Sequence, residues 1–141
     1  MRLTGGMHDG DYNYTFKTEG TAGEMKPSPD HLPKDAKERK TYPVGTGFLD
    51  YFPKAAAEVA HVSFVGNLQH NGPGAPLHWD RTKSTDEADA LIRHFLERGK
   101  IDSDGVRHSA KMCWRSLALL EKELEAEQER NAKKEIEDEA K

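Results

Sequence analysis

Val106-Arg107-His108-Ser109-Ala110-Lys111-Met112-Cys113-Trp114-Arg115-Ser116-Leu117-Ala118-Leu119-Leu120-Glu121-Lys122-Glu123-Leu124 is the stretch that decides the fold. Apolar residues at 106, 110, 113, 117, 120 and 124 recur every three or four positions, the spacing of one face of an α-helix. Trp114 flanks that stripe, and His108, Met112 and Leu119 form a second one. A helix apolar on two sides is either central in its domain or part of a subunit interface. It should start after Asp102-Ser103-Asp104, with Ser103 or Asp104 as its cap. Beyond Glu125 the chain is rich in Glu, Lys and Ala, which reads as a solvated helical extension or a frayed tail.

A second helix is signalled upstream by Ser84 and Glu87 in capping-box spacing before an apolar run. Its expected buried stripe is Ala88, Leu91, Ile92 and Phe95, with Asp89 on one edge, His94 on the other, and Gly99 closing it. A first helix should open at Pro53, which suits the first helical position, and run to Val65, with Gly66 ending or bending it. Phe52, Ala56, Val59 and Ser63 share one of its faces; Glu58, Val62 and Val65 share the next. Residues 66–83 then form a loop with three glycines and two prolines. Loops of that length in a compact domain are often functional. No repeat and no strand series is visible. The expected fold is all-α, a small bundle of three main helices with the last one long.

The chain has 141 residues, 35% of them hydrophobic, and its mean hydropathy of −0.89 is polar for a globular domain. That polarity sits at the ends. Residues 1–41 are expected to be an extended or disordered arm, rich in Gly and Pro, whose candidates for packing are Tyr12, Tyr14 and Phe16. Residues 42–125 are the helical core domain and 126–141 a charged tail. A core of about 85 residues is small, so a homo-oligomer is expected as a source of further burial. The net charge of −4 argues against nucleic acid as main partner, since phosphate backbones need a concentrated basic face. No apolar run is long enough to span a membrane. A single cysteine, Cys113, excludes an internal disulfide and fits a reducing, cytoplasmic location. On its apolar stripe Cys113 reads as a packing residue rather than a nucleophile.

Five of the seven histidines (61, 70, 78, 94 and 108) fall in the core together with several acids. Asp86 and Asp89, three apart, project from adjacent positions and can share Mg2+ or Mn2+, which prefer oxygen ligands. Acids in a first helical turn also compensate the helix dipole, and Asp89 with Arg93 four residues on can form a simple ion pair. Glu58 lies among Ala, Val and Phe, where it must be exposed, paired or a metal ligand. Glu58-x-x-His61 would face Asp86-x-x-Asp89 if the first two helices pack antiparallel. His94 and His108 can pair with carboxylates or contact phosphate when protonated. Arg81, Lys83, Arg93 and Arg107 can supply phosphate contacts, and Trp79 can stack on a base or pack in the core. Zinc-finger spacing is absent, and the glycines of 66–74 do not form a P-loop.

Residues 42–124 resemble a phage-associated family, the N-terminal domain of dATP/dGTP diphosphohydrolases. The matching residues are Phe52-Pro53, Ala57-Glu58-Val59-Ala60-His61-Val62, Phe64-Val65-Gly66, Asn71, Trp79, Asp89-Ala90-Leu91-Ile92-Arg93-His94-Phe95-Leu96, Asp102-x-Asp104-Gly105, Val106-Arg107-His108-Ser109-Ala110 and Ala118-Leu119-Leu120-Glu121. The resemblance implies hydrolysis of purine deoxynucleoside triphosphates to monophosphate and pyrophosphate, assisted by Mg2+ or Mn2+. Carried over by position, Glu58, Asp89, His94 and His108 would be catalytic. Arg93, Arg81, Lys83, Trp79 and Asn71 would hold the nucleotide, and Glu58, Asp86 and Asp89 the metal. The chain would then act in the host cytoplasm. All-α pyrophosphohydrolases usually carry Glu-x-x-Glu and Glu-x-x-Asp on successive helices. Only Glu58-x-x-His61 and Asp86-x-x-Asp89 stand at comparable places here. A phage protein that binds or sequesters a purine nucleotide without turnover, acting against host nucleotide signalling, fits that loss.

Overall fold

The computed structural model describes residues 31–141; the expectations for Tyr12, Tyr14 and Phe16 lie outside them. The described residues form α1 (Ala36–Arg39), a π turn (Gly45–Leu49), α2 (Pro53–Asn71), α3 (Glu87–Leu96) and α4 (His108–Glu139). Among them there is no strand, only one isolated bridge between Ile101 and Arg107. The all-α architecture with a long last helix is therefore observed. A boundary between compact units falls after Tyr42. In the first unit the short α1 was not foreseen; Asp35 caps it by accepting from the backbone N–H groups of Lys37 and Glu38, both at 2.9 Å.

In the second unit α4 is the element on which both α2 and α3 pack. α2 does not stop at Gly66 but continues to Asn71 and ends where Gly72 turns to φ +82°. A mid-helix glycine costs only about 1 kcal/mol against alanine, too little to outweigh the contacts that the next turn makes. The chain from 72 to 86 is the true connecting loop, so His70 and Asn71 sit on the helix end.

α3 is rolled relative to expectation. Glu87 and Ala90 are buried and Leu91 and His94 half-buried, while Ala88, Ile92 and Phe95 are exposed. Ser84 and Glu87 form no capping box. Ser84 Oγ instead donates to Asp86 Oδ1 at 3.1 Å, and Glu87 accepts from Lys122 of α4 at 2.8 Å. Burial pushes the Glu87 carboxyl up, but Lys122 and its other donors bring it below the ordinary glutamate value. The buried ion pair thus sets which face of α3 turns inward.

α4 begins one turn later than the Asp102-Ser103-Asp104 signal, with Arg107 at its cap position and no side-chain cap. Val106, Ala110 and Ala118 are buried and Trp114 half-buried, whereas Leu117 and Leu120 are about half exposed, at 45% and 51%. The inward edge of the stripe is fixed by Trp114, whose Nε1 donates to Ser63 Oγ on α2 at 2.8 Å. Past Glu125 the helix runs on to Glu139 with its last ten residues exposed, the solvated extension its composition suggests. No helix among the described residues is long and apolar enough to cross a membrane.

Candidate functional site

The end of α2 builds the first wall. Asn67 is buried and uses both ends of its amide. Its Nδ2 donates to the Ala75 carbonyl at 3.1 Å, and its Oδ1 accepts from Asn71 Nδ2 at 2.8 Å and from the His78 backbone N–H at 3.2 Å. This clamp folds the loop back along the helix, with Gly72 and Gly74 at positive φ making the reversal. The loop then delivers Trp79 edge-on to Trp114, ring centroids 5.4 Å apart. Arg81 covers a face of Trp79 at 4.1 Å and donates through Nε to both oxygens of Glu125 at 2.8 and 3.0 Å.

The second wall comes from the turn before α4 and from α4 itself. Lys111 Nζ lies 2.7 Å from Asp102 Oδ2 and 2.6 Å from Asp104 Oδ2, and Gln69 of α2 donates to Asp104 Oδ2 at 3.2 Å. The Lys111 ammonium holds Asp102 down to about 2 and Asp104 below the ordinary aspartate range. Burial pulls Lys111 down, yet its two carboxylate bonds outweigh that and hold it above the ordinary lysine value. Beside this triad, His94 Nδ1 of α3 and His108 Nδ1 of α4 are 3.0 Å apart, and His108 Nε2 is 3.9 Å from Asp102 Oδ1. Burial lowers His94, reinforced by His108, Lys111 and Arg115.

Between the walls lies a cavity of about 440 Å³. Val62, Val65, Leu77, Trp79 and Trp114 give it an apolar lining; Asn67, His70, His78, Lys83, His94 and Arg115 add polar groups. Arg115 donates to Ser84 Oγ at 2.9 Å, which aims it along the cavity rim, and its nearest carboxylate contact, Glu87, is 3.9 Å away. Lys83 has no carboxylate within 4.0 Å among the described residues. The lining acids are Asp80, held below its ordinary value by Thr82, and Asp104, which is spent on Lys111. A volume of this size, apolar walls and a few convergent polar groups are what small-ligand sites have in common.

Of the residues the sequence pointed to, Asn71, Trp79, Lys83 and His94 line this cavity, with His108 directly behind His94. Glu58, Asp86, Asp89, Arg81 and Arg93 do not line it. Glu58 and Asp89 are exposed on their helices. Arg93 pairs with Asp86 at 2.7 Å rather than with Asp89, because Asp86 stands just outside α3 and within reach of the long guanidinium arm. α2 and α3 each pack on α4 and make at most slight contact with each other, so Glu58-x-x-His61 does not face Asp86-x-x-Asp89 across a packed helix pair. Among the described residues no three His, Cys, Asp or Glu side chains gather closely enough to hold a metal ion. Glu58, Asp86 and Asp89 therefore do not fit Mg2+ or Mn2+ as one site. Asn67, Lys111 and Arg115 belong to the cavity and were not singled out from sequence. The Asn67–Asn71 spacing just ahead of Gly72 was a usable signal for the clamp; nothing local marked Arg115.

The chain matches no family model, no curated protein and no solved structure.

Proposed function

We propose that this chain is a purine-nucleotide-binding domain that holds its ligand in the cavity between α2, the 72–86 loop and α4. The observation that carries this is the pairing, in one cavity, of an apolar tryptophan-lined wall with Lys83 and Arg115 among the lining residues. The apolar wall suits a base, and the cations suit phosphate oxygens. Trp79 acts as wall rather than as a free stacking platform, because Arg81 already covers a face of it. Binding without turnover is the form that the carboxylate positions favour. Hydrolysis to monophosphate and pyrophosphate would need Glu58, Asp86 and Asp89 around one ion, and they stand outside the cavity.

Calorimetric titration with dATP and dGTP tests this, with and without Mg2+ or Mn2+. The expected result is saturable binding, with the nucleotide recovered intact after the protein is denatured. Pyrophosphate release abolished by Glu58→Gln or Asp89→Asn would replace the binding reading with the hydrolytic one. The absence of binding by any purine nucleotide would overturn both.

A further inference from the structure

The contact between His94 and His108 has a chemical consequence that nucleotide binding alone does not use. Two imidazole Nδ1 atoms at 3.0 Å cannot both present lone pairs to each other, so one proton must lie between them. Which ring donates and which accepts follows from the tautomers the two imidazoles adopt. The pair is half-buried, and His94 alone of the two lines the cavity. A second proton makes one ring an imidazolium that can still donate Nδ1–H to the other ring, and it places a positive charge beside the cavity that His94 lines.

The surrounding charges determine when that happens. His94 is faced from α4 by His108, Lys111 and Arg115, and from the preceding turn by Asp102. Glu97 at the end of α3 senses His108, and Asp104 is tied to Lys111. His70 of α2 and His78 and Lys83 of the loop line the same cavity. Of the acids beside the cavity, Asp102 and Asp104 are bound to Lys111 and Asp80 accepts from Thr82, so none is paired with His94. A phosphate group entering the cavity would supply an anionic partner.

We propose that His94 and His108 share one proton in the free protein and take up a second when a phosphate-bearing ligand binds, so that ligand binding is coupled to protonation. This rests on the nucleotide reading of the cavity. A one-proton coupling strengthens binding by up to about tenfold per unit fall in pH within its window.

The test has two arms on the full chain. Imidazole 15N NMR of the free protein should show a single Nδ1–H lying between His94 and His108. Nδ1 left without a proton on both rings would overturn the shared proton. Calorimetry with dATP and with inorganic pyrophosphate, each in buffers of different ionisation enthalpy, should show net uptake approaching one proton per site, abolished by His94→Asn. Binding without proton uptake by wild type would overturn the coupling and leave the nucleotide reading standing. Binding of neither probe would overturn both. The wild-type measurements decide the matter even if the variant fails to fold.

Discussion

Asp102 and Asp104 lie within 2.7 Å of a single ammonium, part-buried against α4, whereas Glu58 and Asp89 stand in solvent on helix faces turned away from the cavity. The residue types are alike and each set lies close to a histidine in sequence. The difference is the presence of a cation that can follow a carboxylate out of water. Lys111 reaches both aspartates of the turn before α4, so they can be desolvated together. Among the described residues no such partner approaches Glu58. The lesson is that an acid near an apolar stripe is pulled inward only where a neighbouring element brings a counter-charge.

The largest expected effect on this contrast comes from removing such a counter-charge. Lys122→Met should leave Glu87, only 4% exposed, without its main partner, and cost about 3 kcal/mol in urea unfolding. Glu58→Gln and Asp89→Asn, made side by side, should leave the unfolding midpoint unchanged. A large loss in either would mean that the outer acids are not free.

Next in size is the clamp. Asn67→Ala removes bonds to Ala75, Asn71 and His78, and should cost about 2 kcal/mol while loosening the loop, seen as faster amide exchange at His78.

Lys83→Ala should weaken nucleotide binding roughly tenfold, as loss of one charge-assisted phosphate contact does, without moving the melting temperature. Asp89→Asn should change affinity less than twofold in the same titration.

Acid titration probes the inner pair directly. Asp102 has its pKa held at about 2, below the ordinary aspartate value of about 3.9. A depressed carboxyl contributes stability that is fully present above the unfolded value and is lost as pH falls through the folded one. Unfolding free energy should therefore drop between about pH 4 and pH 2, and Asp102→Asn should flatten that slope.

The smallest effect is Gly66→Ala. A Cβ there meets nothing within 4 Å, and the position is helical, so the variant should gain about 0.5–1 kcal/mol. A loss would mean that the helix yields at Gly66 after all.

Much of the helix inventory was legible from periodicity. Pro53 opens α2 as its fixed φ suggests, and the 106–124 spacing marks the central helix. Gly66 misled because glycine lowers helix propensity without forbidding helix, while Gly72 carries the positive φ that actually ends it. The capping-box spacing misled because Glu87 gains more from Lys122, 35 residues away in sequence, than from a local backbone N–H. The same long-range pair rolled α3, which sent Ile92 outward and brought His94 into the cavity wall.

By itself, then, the sequence determined three helices in a polar composition, a glycine- and proline-bearing loop after the first, and a charged extension after the last. Those features depend on spacing and local backbone chemistry, which act within a few residues. Only the tertiary structure decided which edge of each apolar stripe faces inward, that Lys111 gathers Asp102 and Asp104, and that His94 meets His108. A stripe wider than one contact face can seat at several rolls. Ion pairs and hydrogen bonds between residues far apart in the chain select one, and with it the side chains that share the cavity.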